Sequence, residues 1–333
     1  MPKATIIHGD IRTSLKNIPD KSVQCVITSP PYWGLRDYGT ASWEGGNENC
    51  SHKRDSKWSA SCTRGQNNLE GAIGDGIYKS VCKRCGALRI DNQLGLEETP
   101  DLYVANLVSV FRDVRRLLKD DGTVWLNLGD SYNSFKVGNT NENVGAKRHN
   151  TDSFTKPLWN ELKPKDLIGI PFRVAFALQA DGWYMRQDII WSKPNPMPES
   201  VTDRCTKSHE YLFLLSKESK YFYDYNAIKE PAQESGTYET RNKRSVWSIP
   251  VKPFKEAHFA VMPELLVEPC VMAGSKEGDL ILDPFTGSGT VAVVALRHNR
   301  NFIGVELNEK YIEIANQRIT SSSPLFNIVE IQN

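Results

Sequence analysis

The stretch Leu280-Ile281-Leu282-Asp283-Pro284-Phe285-Thr286-Gly287-Ser288-Gly289-Thr290 decides how this chain reads. An apolar run breaks at Asp283-Pro284 into a turn with two glycines, and Val291 to Leu296 then continues with helix-forming apolar residues. Glycine at such a strand-to-helix turn lets the backbone come close to a ligand, and the first helical turn offers unpaired N–H groups. No Lys-Ser/Thr pair follows the second glycine, so the turn is not a Walker phosphate loop. About twenty residues on, Phe302-Ile303-Gly304-Val305-Glu306 is a second strand ending in a carboxylate, where an acid can accept both hydroxyls of a ribose.

Working outward, the C-terminal part alternates helix 262–273, strand 280–283, helix 290–298, strand 302–307 and helix 308–319. Toward the N-terminus, 4–8 reads as a strand, Gly9-Asp10 as a turn, 11–18 as a short helix and 22–28 as a buried strand. Thr99-Pro100-Asp101 starts a helix whose apolar face is Leu102, Ala105, Leu107, Val108, Phe111, Val114 and Leu118. Asp121-Gly122 turns into strand 123–128; 166–180 reads as a helix, and 183–191 and 211–215 as strands. Alternating β and α units imply an α/β fold with a mostly parallel sheet covered on both faces.

The strand at 22–28 ends on Ser29-Pro30-Pro31-Tyr32-Trp33, at the place where open α/β sheets put their ligands. Pro31 keeps Pro30 extended, and neither proline donates an N–H, so the segment is a stiff ledge of carbonyls beside a hydroxyl. Such a ledge suits an exocyclic amino group on a flat base. Ser29 Oγ and the Pro30 carbonyl would accept both N–H groups and localise the nitrogen lone pair for attack on a sulfonium methyl. Tyr32 would stack on a base flipped out of its helix. Ser29 is then an acceptor, not a covalent nucleophile.

Composition limits the partners. In 333 residues the formal net charge is only +1, so nucleic-acid binding has to come from local clusters of Lys and Arg. No apolar run approaches the ~20 residues of a membrane span, and the N-terminal residues lack a signal-peptide pattern. The expected location is the cytoplasm of a prokaryotic cell or phage-infected host, where seven cysteines are free or metal-bound.

Together the two motifs resemble the β-group amino-methyltransferases of DNA, in which the catalytic motif precedes the cofactor motif. The resemblance covers most of the chain apart from two polar stretches. It implies a Rossmann-like methyltransferase fold, S-adenosyl-L-methionine as cofactor and double-stranded DNA with a flipped target base as partner. Ser29, Pro30, Pro31 and Tyr32 fall on the catalytic motif, and Asp283, Pro284, Phe285, Thr286, Gly287, Ser288, Gly289 and Thr290 on the cofactor loop. Glu306 falls on the ribose-binding acid and Asp10 on an acid near the adenine. Phe259 to Leu266 is similar to a segment over the methionine end, while Trp125 to Tyr132 and Trp191 to Pro196 are similar to segments of less defined role. Serine before Pro-Pro favours cytosine N4 as the target, with adenine N6 as the alternative. A cognate restriction endonuclease and a monomeric or homodimeric state go with that reading.

The first polar stretch, 40–98, holds Cys50-x-His52 and Cys82-x-x-Cys85, four ligands for a tetrahedral structural zinc, with Cys62 as a spare. Zinc would explain how a stretch so poor in periodicity keeps a fold. The second, 134–165, reads as flexible. Lys193, Arg204, Lys207, Arg241, Lys243 and Arg244 lie in 193–258, where the resemblance places target recognition; most suit phosphates and one or two guanine edges. The domain plan is therefore 1–39, 99–192 and 259–333 for the catalytic fold, with 40–98 as a zinc insertion and 193–258 as the recognition region. The competing readings are an RNA or protein methyltransferase and a non-enzymatic zinc-dependent DNA binder on a methyltransferase scaffold.

Overall fold

Strand β1 (Lys3–His8) leads through Gly9-Asp10 into α1 (Ile11–Ser14), where the Asp10 side chain caps the helix by accepting from Arg12 N. The expected helix 11–18 is a single α-turn followed by a 3-10 turn at Leu15–Asn17. Strand β2 (Val23–Thr28) is buried at every position. A hairpin of β3 (Ser42–Glu44) and β4 (Leu88–Ile90) stands in the first polar stretch. Helix α2 (Pro100–Leu117) starts as its sequence dictates, with Thr99 Oγ1 accepting from Leu102 N and Pro100 in the first turn. Then come β5 (Leu118–Leu128), α3 (Ile170–Ala180), β6 (Tyr184–Ser192) and β7 (His209–Ser216), followed by the short β8 (Glu230–Pro231), β9 (Thr240–Arg241) and β10 (Val246–Ser248). The chain closes with α4 (Glu264–Gly274), β11 (Leu280–Asp283), α5 (Thr290–Arg297), β12 (Asn301–Glu306), α6 (Glu309–Ser322) and β13 (Ile328–Gln332). This computed structural model describes residues 2–35, 38–52, 81–91, 93–133, 159–232, 238–252, 261–322 and 328–332.

One sheet runs in the order β10-β6-β7-β5-β2-β11-β12-β1-β13. Strand β7 is antiparallel to β5 and β6, and the other ladders of this sheet are parallel. Alternate residues of β2 feed opposite cores. Val23 and Val26 join Leu107, Phe111 and Val174 on one face, while Cys25 and Ile27 join Val267, Val294 and Ile312 on the other. The sheet is thus a layer between α1–α3 and α4–α6, as its double-sided apolar strands require.

From β2 the chain moves to β5 on one side, and from β11 to β12 on the other. The crevice between β2 and β11 is therefore a topological switch point, and the carboxyl ends of adjacent strands open onto it. Asp283 pairs with Gly304 and His8 with Glu306, so the expected cofactor turn, the ribose acid and Gly9-Asp10 end side by side.

Three details differ from the sequence reading. Asp121-Gly122 is not a turn between elements but lies within β5, where the register against β2 shifts; a Cβ on Gly122 would lie 2.5 Å from Leu118 Cγ. Helix α3 begins at 170 because Gly169 adopts φ +77° and Asp130 Oδ1 accepts from both Gly169 N and Ile170 N at 3.1 Å. The stretch expected to be flexible divides: 134–158 lies outside the described residues, but 159–165 is packed. Trp159 there is buried, and Asn133 Nδ2 donates to the Trp159 and Leu162 carbonyls.

Candidate active site

The carboxyl ends of β1, β2, β11 and β12 converge at the mouth of the switch point and line one cavity of about 910 Å3, at the upper end of the range for small-molecule sites. Ser29, Pro30, Pro31 and Tyr32 form one wall, following β2. Asp283 to Ser288 and Thr290 form the floor, following β11, and Glu306 closes it at the end of β12. Asp10 lines the same space. Gly289 does not; it packs on α6, where a Cβ would lie 3.0 Å from that of Ala315.

The floor is a rigid turn. Gly287 and Gly289 adopt φ +52° and +78°, which disfavours other residues. A Cβ on Gly287 would meet nothing nearer than the Phe285 carbonyl at 3.9 Å, so its bare face is turned to the cavity. Gly287 N donates to Glu306 Oε2 and Asn308 N to Glu306 Oε1, both at 2.8 Å. Leu307 N also bonds this carboxylate, whose two oxygens still have lone pairs left to accept from the cavity. Arg318 on α6 ties the turn from behind, donating to Ser288 Oγ and Thr290 Oγ1. A space with a carboxylate free to accept hydroxyls, an open glycine and a helix N-terminus fits an adenosyl group.

Electrostatics differ among the acids. Burial pushes the Asp283 carboxyl up to about 7, partly offset by bonds from Thr28 and Phe285 N. Burial also raises Glu306. At Asp10 burial acts upward, but hydrogen bonds from Arg12 N, Nε and Nη2, with the Arg12 charge, outweigh it and hold the carboxyl below its usual value.

The wall is held by a hydrogen-bond chain. Ser29 Oγ donates to Tyr32 Oη at 3.2 Å. Tyr32 Oη lies 2.8 Å from Glu210 Oε2 and 3.0 Å from Asn127 Oδ1, both of which can accept its proton. Burial, then the negative charge of Glu210, push the phenol well above its ordinary value, so it stays protonated. Glu210 is also ion-paired with Lys193, both largely buried. With its O–H donated in a hydrogen bond to Tyr32, Ser29 Oγ has its lone pairs left to accept with. Gly129 leaves room for the ring, since a Cβ there would lie 2.5 Å from Tyr32 Cε2. Tyr103 on α2 takes the Pro31 carbonyl at 2.9 Å and fixes the ledge from outside.

The sequence model of the DNA methylase family (N6/N4 methyltransferases) matches residues 23–317, which include both motifs. The chain belongs to this DNA methylase family. The type II methyltransferase M.SmaI of Serratia marcescens is 45% identical over 94% of this chain and 90% of its own length. The type II methyltransferase M.Cfr9I of Citrobacter freundii is 42% identical over 98% and 91%. Among solved structures, the PvuII DNA methyltransferase (cytosine-N4-specific) aligns over 99% of this chain and 97% of its own at a TM-score of 0.59 and 17% identity. The putative DNA modification methylase TTHA0409 of Thermus thermophilus, complexed with S-adenosyl-L-methionine, aligns over 99% and 98% at 0.58 and 22%. These two likenesses carry the Rossmann-like methyltransferase fold.

Within this DNA methylase, the six basic residues separate. Lys193 and Lys207 line the cavity; Lys193 lies over the Trp191 ring and Lys207 Nζ donates to the Asp130 carbonyl at 2.8 Å. Arg204 does not line it; it pairs with Glu199, which does, and stacks 4.0 Å from the Tyr132 ring centroid. Arg241 and Arg244 gather on Glu230, and Lys243 lies over Trp247 beside β10. Of the segment expected over the cofactor, 259–260 lies outside the described residues, while Val261 and Met262 line the cavity. Among the described residues, no helix is long and apolar enough to cross a membrane.

The sequence reading missed Asn127, Glu210, Tyr38 and Gln93 at this site. Asn127 fell in a segment singled out only by resemblance. Glu210 fell just before a strand expected at 211–215, with no local pattern to mark it.

In the hairpin insertion, Cys50, His52, Cys82 and Cys85 come together with their ligand atoms all within 4.8 Å of one another. Cys62 lies outside the described residues.

Proposed function

We propose that this DNA methylase transfers a methyl group from S-adenosyl-L-methionine to the exocyclic N4 amino group of cytosine in double-stranded DNA. The observation that carries the reading is the single cavity shared by Ser29-Pro30-Pro31-Tyr32 and the Asp283–Glu306 floor. When bound, S-adenosyl-L-methionine supplies an electrophilic methyl group on its sulfonium. Glu306 would accept the ribose hydroxyls, the Gly287 backbone would allow close approach, and Asp10 would face the adenine end. The buried Asp283 would face the cationic methionine end.

The target amine is a weak nucleophile because its lone pair is delocalised into the ring. Ser29 Oγ, turned into an acceptor by its bond to Tyr32, and the Pro30 carbonyl would take its two N–H groups and favour a pyramidal nitrogen. The amine proton released on transfer has Ser29 Oγ as its first acceptor, and Glu210 stands behind it through Tyr32 Oη. Serine in place of aspartate before Pro-Pro supports cytosine over adenine N6. The type II names of the relatives support a cognate restriction endonuclease as the functional partner.

The test is to treat unmodified duplex DNA with the protein and labelled cofactor, digest to nucleosides and identify the product by mass. N4-methylcytosine is expected. N6-methyladenine alone would replace the target base, and no methylated nucleoside would remove the reading.

A further inference from the structure

Two edges of the cysteine–histidine cluster have the lengths that a zinc ion imposes. In a regular tetrahedron with Zn–S about 2.3 Å and Zn–N about 2.0–2.1 Å, two sulfurs stand about 3.8 Å apart, and sulfur and nitrogen about 3.6 Å. Cys50 Sγ lies 3.8 Å from Cys82 Sγ, and Cys85 Sγ lies 3.6 Å from His52 Nδ1. Each half-site is preformed by backbone bonds. Gly86 N donates to the Cys82 carbonyl at 2.7 Å and Cys82 N to the Ala87 carbonyl at 2.8 Å, with Gly86 at φ +78°. Cys50 N donates to the Asn47 carbonyl, and the His52 ring stacks on Trp43 of β3 at 4.2 Å and 8°. The set offers three thiols and an imidazole, leaving no coordination position for water, which is the pattern of a structural site.

The insertion does not stand apart from the active site. Leaving β4, the chain lays Gln93 and Leu94 into the cavity wall, opposite Tyr38 and Thr40, which lead into β3. Tyr38 N donates to Gln93 Oε1 at 2.7 Å. Gly34 N donates to the Gly95 carbonyl at 2.7 Å, and Trp33 Nε1 to the Glu97 carbonyl at 2.8 Å. A Cβ on Gly95, at φ +93°, would lie 3.0 Å from the Tyr32 carbonyl. The Tyr38 carbonyl accepts from Asn308 Nδ2 at 3.0 Å, and its ring meets Tyr311 edge-on. The two ends of the hairpin thus clamp the catalytic loop to the residues that follow Glu306.

We propose that Cys50, His52, Cys82 and Cys85 bind one zinc ion, and that the ion holds the Tyr38–Gln93–Leu94 wall in place so that its loss weakens cofactor binding. Three-residue strands cannot hold a hairpin alone, and a metal clip between 50–52 and 82–85 closes it. The second half of the proposal rests on S-adenosyl-L-methionine as the occupant of the cavity.

The experiment uses the full chain. Metal analysis after purification without added metal, calorimetric titration with S-adenosyl-L-methionine and thermal unfolding are run on the parent, Cys85→Ser and His52→Cys. One zinc per chain is expected in the parent. His52→Cys, which keeps four ligands, should retain zinc and cofactor affinity, while Cys85→Ser should lose zinc and bind cofactor at least tenfold more weakly. Cobalt(II) in place of zinc should give the intense visible bands of a tetrahedral thiolate site. A parent that neither contains zinc nor takes up added zinc overturns the metal site. Should Cys85→Ser fail to fold, chelator-treated parent, with and without zinc returned, takes its place. Metal loss with cofactor affinity unchanged overturns the coupling. A zinc-loaded parent with no affinity for S-adenosyl-L-methionine overturns the cofactor reading and with it the coupling, while the zinc count still decides the metal site.

Discussion

Thr28 Oγ1 donates to Asp283 Oδ1 at 2.6 Å, and both groups are buried. This bond joins the ends of β2 and β11, the two strands that deliver the Ser29–Tyr32 ledge and the Asp283–Thr290 turn, across 255 positions of sequence. Thr28→Val keeps the shape and removes the donor. Phe285 N still donates to Asp283 Oδ1, so loss of the one bond costs about 0.5–1.5 kcal/mol, and the variant should unfold at lower denaturant and bind cofactor more weakly. Denaturation with unchanged midpoint would show that the bond does not join the halves.

Asp283 also sets a pH dependence. Burial raises its folded pKa to about 7 from an ordinary 3.8, so the folded state holds a proton that the unfolded chain releases. Its contribution to stability is fully present below 3.8 and is lost as pH rises through about 7. A cationic ligand prefers the ionised form, so cofactor binding should release a proton and tighten between pH 6 and 8, taking about one unit either side of that value. Asp283→Asn should flatten the stability slope between pH 4 and 7. An equal slope in both proteins would assign it to another group.

The Ser29–Tyr32–Glu210 chain makes a separate claim about orientation. Tyr32→Phe keeps the ring but frees the Ser29 hydroxyl to point its proton at the incoming amine. Turnover should fall on the order of tenfold to a hundredfold, as for a misaligned reacting group, with cofactor affinity unchanged. Single-turnover rates beside calorimetry separate the two effects; equal rates would remove the chain from catalysis.

Gly129 is expected to matter for its missing side chain. Gly129→Ala would place a carbon 2.5 Å from Tyr32 Cε2, so the ring must move. Overpacking of this kind costs about 1–3 kcal/mol. Loss of methyl transfer larger than the loss of stability is the expected pattern, read from activity and thermal unfolding together. A fully active variant would mean that the ring has room elsewhere.

The sequence displayed the floor and the ledge because both are local. Strand, glycine turn and helix follow one another at 280–296, and a Pro-Pro pair after a buried strand fixes its own geometry. The spacing within Cys50-x-His52 and within Cys82-x-x-Cys85 was legible for the same reason. Glu210 was not, because it reaches Tyr32 from β7, antiparallel to both its neighbours in the large sheet, whose partners no short-range pattern specifies. Edge strand β10 has three residues, too few for a periodic signal, and 329–332 of β13 are half-buried or exposed, with no buried face to pattern them. The basic residues could be counted in the sequence, but only the fold separates Lys193 and Lys207 in the cavity from Arg241, Lys243 and Arg244 beside β10.

The most direct measurement is single-turnover methyl transfer by Ser29→Ala on duplex DNA, with S-adenosyl-L-methionine affinity measured on the same preparation. An intact floor and a lost acceptor predict unchanged cofactor affinity and transfer slower by on the order of a hundredfold or more. Transfer by Ser29→Ala at the parent rate would contradict the account.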